Sequence, residues 1–270
     1  MCIFRLLVER SCLVINRVGF NGFYAILRRE VWRFWSIKRQ TLLGPLLETY
    51  LYISVFGAAL GTRIDSINGS SYVAFIIPGL LLMSMAMNAF SNNASSLLQQ
   101  KVMRAIDDQL TSPVPNGAMM LAFTLGGFIR GLLISTITFI TASLLIDLPI
   151  AHPFILVSSM MLSGMLFASL GVFIGIRAEN FDGISFYQTF VIQPLIFLGG
   201  IFYTVSSLPE PFKTLTHFNP VFYMINTVRY GMLGTADTGP YAALIVLAFA
   251  VAAMLFINWR LFQSGHRLRS

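Results

Sequence analysis

Long apolar runs alternate with short polar breaks from Thr41 to Arg260, and five of them, 41–61, 71–91, 153–176, 185–204 and 240–259, are long enough to span a bilayer. A helix rising about 1.5 Å per residue needs roughly twenty apolar residues to cross a hydrocarbon core of ~30 Å. A sixth run, 131–147, is near the minimum length. The pattern predicts an all-α membrane protein with six transmembrane helices.

The remaining segments carry different periods. In 20–39, Phe20, Tyr24, Leu27, Val31 and Phe34 or Trp35 recur at helical spacing while Arg29, Arg33 and Lys38 point elsewhere, which predicts an amphipathic helix in the headgroup layer. Leu98, Val102, Ile106 and Leu110 recur every four residues, so 98–110 reads as a second short amphipathic helix, with Lys101, Arg104, Asp107 and Asp108 on its other face and Thr111-Ser112-Pro113 as its stop. Asn116 then caps a helix that runs through Arg130 into the third span, which places Arg130 at the membrane interface. Between the fifth and sixth spans, 205–239 is too long for a turn and too apolar for a free loop. Pro209 and Pro211 open one short helix, Asn219-Pro220 breaks it, and Val221 to Leu233 forms another. Two external re-entrant half-helices fit that pattern, because irregular backbone at membrane depth is tolerated where it packs on protein.

Charge fixes the orientation. Of the eighteen Lys and Arg residues, only Arg63, Lys213 and Arg229 fall outside if the N-terminus is cytoplasmic. The bias of basic residues to the inner side then puts both termini in the cytoplasm. The net charge of +7 is accounted for by this topology, and nucleic acid is excluded as a partner; the partner surface is membrane lipid. The two cysteines, Cys2 and Cys12, lie in the cytoplasmic arm, where reduced thiols are expected. The chain divides into an N-terminal arm and interfacial helix (1–40), a membrane domain (41–260) and a basic tail (261–270).

No catalytic, metal or cofactor pattern stands out. His152, His217 and His266 are scattered, and no phosphate-binding Gly-x-x-x-x-Gly-Lys-Ser/Thr loop occurs, so the chain is not expected to hydrolyse ATP by itself. An ion-driven carrier would need ionisable groups within its spans, and Glu48 is the one clear candidate. Glu48 either pairs with Lys38, Arg39 or Arg130 or opens onto a vestibule. Asn88, Asn92, Ser95 or Ser96, and Gln99 form one stripe of the second span, which should face protein or water. Gly-x-x-x-Gly at Gly57–Gly61, Gly127–Gly131 and Gly171–Gly175 is compatible with close helix packing. These features alone leave a transporter subunit, a secondary carrier and a membrane scaffold in play.

Four segments together resemble a known family. They are Phe75-Ile76-Ile77-Pro78-Gly79-Leu80; Ile106-Asp107-Asp108-Gln109-Leu110-Thr111-Ser112-Pro113-Val114-Pro115; Pro194 to Tyr203 with Gly199-Gly200; and Phe218-Asn219-Pro220-Val221-Phe222-Tyr223-Met224 followed by Arg229-Tyr230-Gly231. The chain resembles the permease subunit of bacterial ABC-2-type transporters, in the YadH-like branch of inner-membrane exporters. The resemblance implies a homodimer of six-span subunits with separate ABC ATPase subunits that bind the ATP. It implies that the loop helix, with Arg104, Asp107 and Asp108, couples to the ATPase, although the family often has Glu where Asp107-Asp108 stand. It also implies a central seam along spans one, two and five, where Asn88, Asn92 and Gln193 are candidate pathway residues; Glu48 is a further candidate from its place in span one, outside the matched motifs, and its role stays open. The cargo would be an amphipathic, drug-like, glycan or lipid-linked molecule moved outward.

Overall fold

The computed structural model describes residues 2–59, 70–205 and 208–265, with the backbone alone described for 2–18, 40, 58 and 59. Most of the expected external loop 62–70, the cysteine side chains and the tail from His266 lie outside the described residues. The described chain is helical: α1 (Cys2–Ser36), α2 (Lys38–Ala59), α3 (Tyr72–Val102), α4 (Ala105–Thr111), α5 (Asn116–Leu145), α6 (Pro153–Arg177), α7 (Phe181–Phe186), a π-helical segment (Tyr187–Ile192), α8 (Gln193–Leu198), α9 (Glu210–Phe218), α10 (Pro220–Leu233) and α11 (Pro240–Ser264).

Among the described residues four helices, α3, α5, α6 and α11, are long and apolar enough to cross a membrane. The run at 41–61 lies partly outside the described residues, and the run at 185–204 is helical without a break as far as Leu198, changing from α to π and back. It is divided among α7, the π segment and α8, and it ends at the Gly199-Gly200 turn, where Gly200 takes a φ of 84° that favours glycine.

α3 is the axis of the fold, packed between α5 and α6. Both neighbours approach it through glycines one turn apart. A Cβ on Gly131 of α5 would meet the Met85 carbonyl oxygen at 2.8 Å, and one on Gly175 of α6 would meet that of Ala94 at 3.0 Å. Gly127 and Gly171 sit equally tightly against Asn93 and the Phe90 backbone. Two of the Gly-x-x-x-Gly patterns thus serve packing within the chain, since only a missing Cβ lets helix backbones come this close. α11 lies outermost, with Phe249 and Phe256 exposed, and is tied to α6 by Asn258 Nδ2, which donates to the Ser169 carbonyl at 2.8 Å.

At one end of this core, three of the four segments that carried the family resemblance meet, while the fourth, Ile106 to Pro115, lies at the other end of α3. Asn219 caps α10 by accepting from the Val221 amide at 3.0 Å and donates to the Leu195 carbonyl at 2.6 Å, which anchors α10 to α8. Gly79 of α3 faces Ile201, whose Cα lies 3.0 Å from where a Cβ would stand. The turn before α6 is hooked onto α10 by backbone bonds from Ala151 to Met232 (3.0 Å) and His152 to Gly231 (2.8 Å), and the His152 ring stacks on Tyr230 at 4.7 Å. The two short helices expected between residues 205 and 239 are present as α9 and α10, and α10 is buried along most of its length.

Three local expectations need correction. The amphipathic helix placed at 98–110 is two pieces: α3 continues to Val102, and Arg104, at a φ of 56°, turns the chain into α4. Because of that joint the four-residue period does not define one face; Leu98 and Ile106 are buried while Val102 is 66% exposed. Asn116 is the first helical residue of α5 and not its cap, a position held by Pro115. The helix expected at 20–39 belongs to the longer α1, which ends at Ser36. Ile26, Glu30 and Phe34 point inward toward α5, while Phe20 and Tyr24 are exposed.

Candidate functional site

Two polar regions meet on α3. The first is a partly open cavity of about 230 Å3 between α2, α3 and the π segment, with Glu48, Tyr52, Ser84, Asn88, Gln188 and Gln193 among its walls. In an α-helix residues five apart point about 140° away from each other. Gln188 and Gln193 nevertheless line the same cavity, because the wider i→i+5 turn between them brings both to one side. Glu48 is exposed there, and no ion pair to it exists among the described residues, so the expected pairing with Lys38, Arg39 or Arg130 is not what the structure contains.

The second region begins one turn further along α3 and is largely buried, with Arg29 and Arg33 at its solvent edge. Glu30 of α1 is fully buried. It accepts from Ser96 Oγ at 2.7 Å and Gln100 Nε2 at 3.3 Å, and pairs with Arg29 at 3.0 Å and Arg33 at 3.5 Å. Arg33 Nη2 also donates to the Asn92 carbonyl oxygen and Oδ1, at 2.7 and 2.8 Å. Arg130 of α5 reaches the same Oδ1 at 3.4 Å. Burial lowers the Arg33 pKa from its ordinary value, against the opposing field of Glu30. Asn93 continues the chain of contacts to the Ala168 carbonyl of α6 at 2.9 Å. Gln109 Nε2 of α4 donates to Gln100 Oε1 at 2.6 Å, so α4 is tied directly into this network.

The predicted residues therefore separate. Glu48, Asn88 and Gln193 come together at the cavity. Asn92 does not join them; it is fully buried and holds Arg33 and Arg130. The expected stripe keeps to one side of α3 but is covered differently along its length: Asn88 borders the cavity, Arg33 of α1 and Arg130 of α5 cover Asn92 one turn on, and Gln99 is exposed. Asp107 and Asp108 sit in the first turn of α4, where acidic groups favour the helix dipole, and Asp108 and Arg104 are exposed. Glu30 and Gln100 are the polar groups that sequence reasoning passed over, while Arg33 and Gln109 were read only as part of an amphipathic helix and of a family segment. The spacing of Glu30 with Ile26 and Phe34, four residues either side, was the available signal.

Comparison with known proteins places this arrangement. The chain is 39% identical over 248 residues to the inner membrane transport permease YadH of Escherichia coli (strain K12), a match covering 91% of this chain and 96% of that one. It is 28% identical over 235 residues to nodulation protein J of Rhizobium meliloti (strain 1021), covering 83% and 86%. To nodulation protein J of Neorhizobium galegae it is 26% identical over 253 residues, covering 88% and 93%. The sequence model of the ABC-2 type transporter family matches residues 21–233, which take in the cavity, the buried network and the α3 packing core: the chain belongs to the ABC-2 type transporter family and is an inner-membrane transport permease.

Proposed function

We propose that this permease is the transmembrane subunit of an ATP-driven exporter, a homodimer of six-span subunits with both termini cytoplasmic and two ABC ATPase subunits docked beneath. Family membership supports the ATPase partner, and that partner binds the nucleotide. The observation that carries the reading is the bond from Gln109 on α4 to Gln100 on α3, the helix that also lines the cavity. Movement imposed on α4 reaches α3 through that bond and the Arg104 joint together. α4 is the ATPase-coupling helix, with Arg104, Asp107 and Asp108 as its docking charges. α9 and α10 are external half-helices that close the pathway, and the cavity with Glu48, Asn88 and Gln193 is part of that pathway.

The dimer reading draws on the partly open cavity and on the exposed apolar side chains beside it, among them Leu47 and Leu51 of α2 and Phe190 of the π segment. A second subunit would cover them. Kinship with a transport permease supports a transported cargo, and in this reading the cargo is an amphipathic, glycan, lipid-linked or drug-like molecule moved outward. The test is purification of the tagged permease from its native membrane. An ABC ATPase should co-purify, and its hydrolysis should respond to the permease. Gradient-driven flux by the permease alone, with no ATPase bound, would overturn the assignment in favour of a secondary carrier.

A further inference from the structure

The cavity walls have an unbalanced chemistry. Among the described residues lining it, Glu48 is the one charged group, and no Lys, Arg or His is present. Tyr52, one turn along α2 from Glu48, opens a ladder of rings: its ring lies 6.0 Å from Phe56, Phe56 lies 4.7 Å from Phe202, and Phe202 lies 5.9 Å from Phe197. Met83 and Met87 add polarizable thioethers on the α3 side. Several hydrogen-bond donors a polyol would need are already engaged within their own helices. Ser84 donates to the Leu81 carbonyl (3.0 Å), Thr49 to that of Pro45 (2.8 Å), and the Asn88 amide to that of Ser84 (2.9 Å).

We propose that this cavity selects an amphipathic organic cation, with Glu48 taking the ammonium or guanidinium group and Tyr52 and its neighbouring rings taking the apolar body. The inference rests on the pathway reading above and narrows it to a substrate class. A carboxylate without a counter-charge gains a charge-assisted contact from a cation and repels an anion. An aromatic face beside it adds cation–π attraction.

The experiment uses the full chain in lipid nanodiscs and phenyltrimethylammonium as probe, with tert-butylbenzene as its neutral isostere, benzenesulfonate as an anion and methyl glucoside as a polyol. Binding is followed by saturation-transfer NMR and equilibrium dialysis. Phenyltrimethylammonium should bind, the other three should not displace it, and Glu48→Gln should weaken it at least about tenfold while Glu48→Asp keeps most of the affinity. Thermal stability of both variants should match that of the parent. Binding that ignores Glu48→Gln, displacement by benzenesulfonate or methyl glucoside, or no binding at all overturns the proposal. Reaction of Asn88→Cys with an impermeant thiol reagent separates the two ideas. If Cys is modified there but the cation does not bind, the pathway stands and the cation selectivity falls; if it is protected in every nucleotide state, the pathway reading falls.

Discussion

Ser96 of α3 donates its hydroxyl to Glu30 of α1 at 2.7 Å, and neither side chain is more than 1% exposed. A buried carboxylate held this way joins the N-terminal helix to the central helix through residues 66 positions apart in sequence. Its removal should be costly, because Arg33 would keep its charge in a site that no longer supplies the opposite one. Glu30→Ala is expected to cost about 3–5 kcal/mol, whereas Ser96→Ala should cost about 1 kcal/mol. Thermal unfolding of the purified permease distinguishes them, and equal small losses would show that Glu30 is not the keystone of the network.

Reversal of the α4 charges should act on assembly and spare the fold. Asp108 is exposed and neither Asp107 nor Asp108 is part of the buried network. Asp107→Lys with Asp108→Lys loses only the helix-dipole benefit within α4, about 0.3–1 kcal/mol for each site. At a desolvated interface the same reversal removes contacts whose loss typically costs ~2–5 kcal/mol. The doubly reversed permease should insert normally and release the ATPase; retention with full stimulated hydrolysis would mean that α4 is not the docking element.

Cysteines at 88 and 92 should behave oppositely. Asn88 lines the cavity, whereas Asn92 is fully buried against Arg33 and Arg130. With Cys2 and Cys12 replaced, Asn88→Cys should react with a membrane-impermeant thiol reagent in at least one nucleotide state. Asn92→Cys should stay protected and lower stability. Comparable labelling at both positions would mean that the buried network opens to water during transport.

Glycine substitutions should separate packing from propensity. A Cβ at Gly171 runs into the Phe90 backbone, while at Gly44 nothing lies within 4 Å. Gly171→Ala should destabilise by about 1–3 kcal/mol through overpacking. Gly44→Ala, within α2, should cost much less, because the helix-propensity gain of up to about 1 kcal/mol offsets the crowding of the new Cβ against the Pro45 ring that follows it. Melting temperatures of the two variants in the same detergent check this, and the ranking would be refuted by a Gly171 variant as stable as the parent.

How much of this was legible in sequence varies from place to place. The helices at α3, α6 and α11 were readable because apolar runs of twenty or more residues have few alternatives, α5 from the shorter run at 131–147, and the Asn219-Pro220 break was readable because proline cannot continue a helix. The joint at Arg104 was not, since a left-handed arginine has none of the Gly or Asn signature that such a position usually shows. The π segment was equally silent: Gln188 and Gln193 have the wrong spacing for a shared α-helical face, so only the structure unites them. Glu30 was hidden among Arg28, Arg29 and Arg33, where a charge reads as solvated until a neighbour covers it. The cavity residues Glu48 and Asn88 were visible because polar groups inside apolar runs need a reason to be there.

The unbroken length of α3 has a mechanical consequence. From Val102, next to the Arg104 joint, to Phe75 it spans about 40 Å as a single rod. Pivoted near its α4 end, a rod of that length tilting by about 5° swings its far end by about 3.5 Å. Phe75 is where the buried Arg229 guanidinium rests on an aromatic ring, 3.9 Å away, while donating to the Gly200 carbonyl at 2.7 Å. That swing is comparable to the first contact, so in the coupling proposed above a few degrees of tilt imposed at the α4 end would shift Phe75 against Arg229 of α10 directly, through the length of one helix.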